Sequence, residues 1–216
     1  MRMLLRHFLF AGIAVASVLS AGPSAADVPK REWAFRVLLE DAPVGRQVFR
    51  LFEEGDRATM RIEANLDVKV LFFTAYSYRH QNEEIWQGGC LASIASKTDD
   101  NGDPFEVRGR RAEQSFVVET LGASEKLDGC VRSFAYWDLE RLRSGDLLNS
   151  QTGRIEKVTL KQVAEETVRS RGVEVAATRW LLESPEFRID LWYSKDRDWL
   201  ALETLRGGRR LRYERE

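Results

Sequence analysis

The stretch from Ala58 to Phe72 sets the pattern for the whole chain. Ala58, Met60, Ile62, Ala64, Leu66, Val68, Val70 and Phe72 take every even position, with Thr59, Arg61, Glu63, Asn65, Asp67 and Lys69 between them. A helix would scatter these apolar groups around its circumference, whereas a strand puts them on one face. At about 3.3 Å per residue such a strand approaches about 50 Å, so a bend or bulge is predicted within it. The same alternation recurs in Trp33, Phe35, Val37 and Leu39, after which Asp41-Ala42-Pro43 turns the chain toward Val44–Glu53. It recurs again in Phe187, Ile189, Leu191 and Tyr193, opposite Arg188, Asp190 and Trp192. Gly207-Gly208 between Trp199–Leu205 and Arg209–Tyr213 is a hairpin signal, and so is Asp100-Asn101-Gly102 between Cys90–Lys97 and Phe105–Gly109.

Counting such runs predicts an all-β fold, an antiparallel meander of about ten strands joined by short turns. A twisted sheet with one apolar face must curl to cover that face, which gives a barrel or half-barrel. One segment departs from the period of two. Phe134 to Ser144 places Ala135, Leu139 and Leu142 at helical spacing, with Ser133 as N-cap and Gly145 as the stop, so a single short helix is expected there to plug or lid the sheet.

The first 26 residues read as a secretory signal. Arg2 and Arg6 precede an apolar run from Phe8 to Leu19, and Ser24-Ala25-Ala26 offers the small residues of a cleavage site. The run is too short for a comfortable membrane span, and no second long apolar stretch follows. Gly22 stands where a lipoprotein would need its acylated cysteine, so the expectation is a chain free in the periplasm or secreted. Residues 27–216 would then form one exported β domain.

Composition narrows the chemistry. Without Arg2 and Arg6 there remain 31 basic against 34 acidic residues, interspersed, which is not the concentrated basic surface that nucleic acid requires. The two cysteines, Cys90 and Cys130, both lie in the exported part, and in an oxidising compartment an isolated pair is most simply a disulfide. His80 is the one histidine left after cleavage, which disfavours zinc sites, His-based triads and haem ligation together. No cofactor motif is present.

Four groups of residues merit weighing as sites. Tyr76, Tyr78 and His80 share a strand face, either as the aromatic wall of a cavity or as cross-strand packing. Asp99, Asn101 and Asp103 open like a calcium loop, but Pro104 and Arg110 occupy the places of the turn glycine and the bidentate glutamate, which leaves a hairpin turn. Tyr136-Trp137 with Asn149, Gln151 and Thr152 combines amphipathic rings with uncharged hydrogen-bonding groups. That set, with Trp192, suits a ligand that is mostly apolar with a polar end, and equally a loop docked by its own hydrogen bonds. Arg209, Arg210, Arg212 and Arg215 near Glu203, Glu214 and Glu216 read as a solvated edge strand.

Taken in order, Gly89-Cys90-Leu91, Asp100-Asn101-Gly102, Gly129-Cys130, Phe134-Ala135-Tyr136-Trp137, Leu147 to Gly153, Asp190 to Tyr193 and the Gly207-Gly208 hairpin resemble a family of exported proteobacterial proteins that is a domain of unknown function. The resemblance covers nearly all of the chain beyond the signal. It implies an exported β-rich domain with a Cys90–Cys130 pair and brings no activity. A looser likeness, in architecture alone, is to periplasmic half-barrels that carry lipids or lipoproteins. The leading expectation is therefore a non-enzymatic domain whose concave face holds an apolar or amphipathic ligand, such as a lipid, or a segment of an envelope protein. A packed interaction protein without ligand, an outer-membrane barrel and a carboxylate-based hydrolase are the alternatives.

Overall fold

The structure is a computed structural model that describes residues 28–143 and 145–216. The expected signal segment, residues 1–26, lies outside the described residues. In chain order the strands are β1 Arg31–Leu39, β2 Ala42–Glu54, β3 Arg57–Val70, β4 Phe73–Gln87, β5 Cys90–Asp100, β6 Asp103–Ala112, β7 Ser115–Thr120 and β8 Ser124–Asp128. A short helix α1, Leu139–Leu142, follows. Then come β9 Asp146–Leu148, β10 Ile155–Lys157, β11 Thr159–Ser170, β12 Val173–Glu183, β13 Arg188–Tyr193, β14 Trp199–Arg206 and β15 Arg209–Arg215.

Thirteen of these strands form one antiparallel sheet in the order β11-β12-β13-β14-β15-β1-β2-β3-β4-β5-β6-β7-β8, and β9 with β10 makes a small hairpin apart. The expected all-β meander is therefore present, with fifteen strands instead of about ten, and the sheet stays open between β8 and β11. The strands that the alternation missed are short or polar on both faces. β8, Ser-Glu-Lys-Leu-Asp, and most of β11 are solvent-facing, which is how open sheets blunt their edges.

The first and last strands meet in the middle of the sheet, where Val37 lies opposite Tyr213. β15 pairs with both β14 and β1, so the arginine-rich C-terminus is an interior strand and not the expected edge. Its charges are absorbed locally: Arg36 binds Glu214 at 2.9 Å, and Arg215 donates to Asp198 at 2.9 Å and to the Trp199 carbonyl at 2.8 Å.

With β1 and β15 joined, the break in the meander falls between β8 and β11. Residues 129–158 must then cross from one edge of the sheet to the other, and they do so over the concave apolar face. Val131, Ala135, Trp137, Leu142, Leu147 and Leu148 from this crossover are buried in one core with Trp33, Phe35, Phe49, Met60, Trp86, Ile94 and Trp199 from the sheet. Trp199 stands 4.4 Å from Phe35, 4.9 Å from Phe49 and 5.5 Å from Tyr136. The crossover is tied to the sheet at its start by the Cys90–Cys130 disulfide. It also bonds there through its backbone, Leu91 N–H to the Val131 carbonyl at 2.8 Å. Further along, Gly153, with φ +73, lies against Thr120 and Val118 so closely that a side chain would overlap Thr120.

Three local expectations need correction. The helix is four residues long and capped by Asp138, whose carboxylate accepts from Glu140 N–H; Ser133 instead bridges to Leu148. Phe134 to Trp137 stay non-helical because their side chains enter the core in succession, which a helix could not arrange. The long even-numbered row ends early: inward burial stops at Leu66, a bulge follows between Val68 and Lys69, and the chain reverses at Leu71-Phe72. Phe72 therefore stands at a turn in solvent and not on the core face. The first turn falls at Glu40-Asp41, so Ala42 and Pro43 already belong to β2.

Candidate functional site

The inward face of β4 carries the densest polar chemistry in the molecule. Tyr76, Tyr78, His80, Asn82, Glu84 and Trp86 follow one another at every second position, and the period of a strand sends all of them toward the crossover. They form two groups.

The first group surrounds Tyr76 and Tyr78. The Tyr76 hydroxyl donates to Asp100, and the Tyr78 hydroxyl donates to Gln151 Oε1 at 3.1 Å. Gln151 Nε2 in turn donates to Asp100 Oδ2 at 3.0 Å, and Arg206 reaches the same oxygen at 3.2 Å. Burial and the Asp100 carboxylate push the Tyr76 phenol up to about 12, and burial raises Tyr78 further. Both are plain hydroxyl donors at neutral pH. The His80 ring stacks on Tyr78 at 6.1 Å and shares a 2.8 Å hydrogen bond between Nδ1 and Thr98 Oγ1.

Burial lowers the His80 pKa from 6.5 to about 4. A depressed folded value means that its contribution is present above pH 6.5 and is lost as pH falls through 4. The shift corresponds to about 3 kcal/mol. Urea unfolding at neutral pH and near pH 4 should show that loss, and His80→Gln, which cannot gain a proton, should remove that part of the pH dependence. An unchanged pH profile in the variant would place the acid sensitivity elsewhere.

The second group centres on Glu84, the one buried carboxylate among the described residues. Asn82 Nδ2 donates to Oε1 at 2.9 Å and Trp86 Nε1 donates to Oε2 at 3.0 Å. Desolvation raises the Glu84 pKa, while these donors, the Ser133 hydroxyl and the Arg141 charge pull the other way. Arg141 comes from α1, with its guanidinium 4.6 Å from the Trp86 ring centroid and 4.9 Å from that of Trp137, and its Nε donating to Asp138 at 2.7 Å. Around this centre Asn82 Oδ1, Ser96 Oγ, Trp137 Nε1 and Arg141 Nη1 are buried without hydrogen-bond partners among the described residues.

The residues singled out from sequence are thus divided. Tyr76, Tyr78, His80 and Gln151 come together. Tyr136 packs on Trp199, and Trp137 joins the Glu84 group at 6.0 Å from Trp86. Asn149 folds its own loop, its Oδ1 accepting from the backbone of Gln151 and Thr152. Trp192 lies on the opposite face of the sheet, where its indole donates to Glu166 at 2.7 Å and its ring covers Val168, Ala177, Leu200 and Ala201. Asp99, Asn101 and Asp103 form a hairpin turn, with Asn101 and Gly102 both at positive φ. The Glu84 group went unread, although carrying the Tyr76-Tyr78-His80 row two steps further would have reached it.

Two surface depressions, of about 490 and 480 Å³, open along β3–β6, and they reach this interior through Asn82 and Ser96 in the first and His80 and Thr98 in the second. Charged residues of both signs line them: Arg61, Glu63, Glu83, Lys97, Glu106 and Arg108 in the first. No three His, Cys, Asp or Glu side chains converge as metal ligands would among the described residues. No helix among them is long and apolar enough to cross a membrane.

An open, coiled antiparallel sheet whose concave face is filled by its own crossover defines a β-barrel-like domain. Residues 35–216 match the model of one such family, and the chain belongs to it: the domain of unknown function DUF6134. Among solved structures it is similar to a beta-barrel-like protein of the domain of unknown function DUF1849 from Brucella abortus, with a TM-score of 0.64 over 86% of this chain and 94% of that one. The identity is 10%, so the likeness is one of fold. No curated protein matches the sequence.

Proposed function

We propose that the chain is a non-enzymatic interaction domain of the bacterial envelope that meets an apolar or amphipathic partner with its surface. The observation that carries this reading is the crossover. The crossover occupies the concave face that a half-barrel would otherwise offer to a ligand, and its Val131, Ala135, Trp137, Leu142, Leu147 and Leu148 are part of the core. Most of the exposed large apolar side chains lie instead at one end of the sheet, at Val70 to Phe73, Leu121 and Leu205, with Val28, Val163 and Val173 elsewhere. The disulfide and the signal-like first 26 residues support an oxidising compartment outside the cytoplasm. His80 and Glu84 support a non-catalytic role: they lie four residues apart on one strand, about 13 Å, so neither can activate the other.

A second reading has an amphipathic ligand beneath a displaced crossover, and it draws on the unpartnered polar atoms around Glu84. Native mass spectrometry of the chain, extracted from its own cells without detergent, separates the two. A packed interaction domain shows the mass of the polypeptide alone. A stoichiometric small-molecule adduct would overturn the first reading in favour of the second.

A further inference from the structure

The β3–β4 hairpin carries its pairing past both of its neighbours in the sheet, as β11–β12 does past β13 from Val173 to Ala177. β2 pairs with β3 only as far as Gly45 opposite Leu66, and β5 pairs with β4 only as far as Asp100 opposite Tyr78. Ser77 still bonds Asn101 of the β5–β6 turn, and from Val68 to Tyr76 the two strands pair with each other alone, Val68 with Tyr76 and Val70 with Phe73. Four residue steps carry the turn about 13 Å past its last pairing with β2. At the tip Val70, Leu71, Phe72 and Phe73 are 57%, 86%, 97% and 75% exposed. Leu71 adopts φ +55, a conformation usually left to glycine or asparagine at hairpin turns.

We infer that this ribbon is a membrane-docking element whose tip enters the interfacial region of a lipid bilayer; the inference rests on the surface-acting reading above and names its partner. Val70 and Phe73 lie opposite each other and share one face of the ribbon, while Leu71 and Phe72 form its turn, so apolar side chains clothe a face and the very end of the ribbon. A medium that takes in both the face and the end satisfies them, as hydrocarbon does. A stable protein interface enlists about 20 to 30 residues a side, far more than this tip supplies. Charge agrees: Asp67 is held in a bidentate pair by Arg79 at 2.7 and 2.9 Å, which leaves Lys69 as the single charge from Val68 to Tyr76. An anionic lipid surface attracts that sign. Leu121 and Leu205, exposed at the same end of the sheet, stand ready to rest on the surface once the tip is in. The turn's own backbone polar groups limit the depth, so adsorption is shallow and reversible.

The test is co-sedimentation of the full chain with vesicles of phosphatidylethanolamine and phosphatidylglycerol, with phosphatidylcholine vesicles as the uncharged arm. The parent chain is expected in the pellet with both. Leu71→Ser combined with Phe72→Ser should lower its partition by about tenfold or more, since two large apolar side chains no longer leave water. Both sites are in solvent, so the melting temperature should not change. Lys69→Gln should weaken binding to the anionic vesicles only. A parent chain that stays in the supernatant, or a doubly substituted chain that sediments as well as the parent, overturns the inference. Paired with a polypeptide-only mass, either result leaves the interaction-domain reading standing with a protein partner; a bound small molecule would remove that reading whatever the vesicles show.

Discussion

Trp86→Ala is expected to cost about 5 kcal/mol of unfolding free energy. Two losses add. The indole is 1% exposed, and truncating a buried tryptophan leaves a cavity that costs about 3–5 kcal/mol. The indole N–H is also one of the donors that hold the buried Glu84 carboxylate, and removing a partner from a buried polar group costs about 1–3 kcal/mol. Arg141 would at the same time lose one of the two rings that flank it. Trp86→Phe separates the contributions, since it keeps most of the ring volume and deletes only the donor; about 2 kcal/mol is expected for it. Chemical denaturation of both variants reads these values. A loss under about 2 kcal/mol for the alanine variant would mean that the crossover does not seat on β4 as described.

Glu84 gives that experiment a second axis. Its folded pKa is raised, so the stabilisation tied to its protonated form is present below the usual carboxylate range and is lost as pH rises through the folded value. His80 has the opposite sense, with stability lost as pH falls from 6.5 through 4. The two residues lie on the same strand and titrate against each other. For that reason the difference between the parent and each single variant is informative, whereas the shape of the parent curve alone is not.

Strand content was legible wherever one face is buried and the other wet. Trp33, Phe35, Val37 and Leu39 on β1, or Met60 to Leu66 on β3, announce themselves because water and core select opposite residues at alternate positions. The alternation failed where that asymmetry disappears. β8 and β11 at the open edges are polar on both sides, and β14 is buried on both sides from Trp199 to Leu202. The fusion of β1 with β15 left no local trace either, since it is a pairing between the two ends of the chain. It is nevertheless the decisive topological fact, because it sends residues 129–158 across the concave face. The Glu84 group was hidden for a related reason. A polar inward face reads from sequence as an outward one until the crossover that covers it is known, and Asn82 and Glu84 lie on such a face. Tyr78 and Gln151 were each noted, but 73 positions separate them and only the fold reveals the bond.

Removing the disulfide, by Cys90→Ser with Cys130→Ser, should cost about 4 kcal/mol in the chain-entropy model, because the bond closes a loop with a sequence separation of 40. The loss should not be uniform over the molecule. Cys90 opens β5 and Cys130 opens the crossover, so the bond holds that segment where it first leaves the sheet. Its far end is held by β11, an edge strand paired on one side only. Without the covalent tie, the start of the crossover is held by the Leu91 N–H bond to the Val131 carbonyl, by Arg132 Nε donating to the Gly89 carbonyl, and by the core packing of Val131. Hydrogen exchange should therefore show residues 131–148 opening at lower free energy than β1–β3, whose strands are paired on both sides. Protection that falls equally everywhere would argue that crossover and sheet unfold as one unit. A global loss below about 1 kcal/mol would mean that the loop ends stay close in the unfolded chain without the bond.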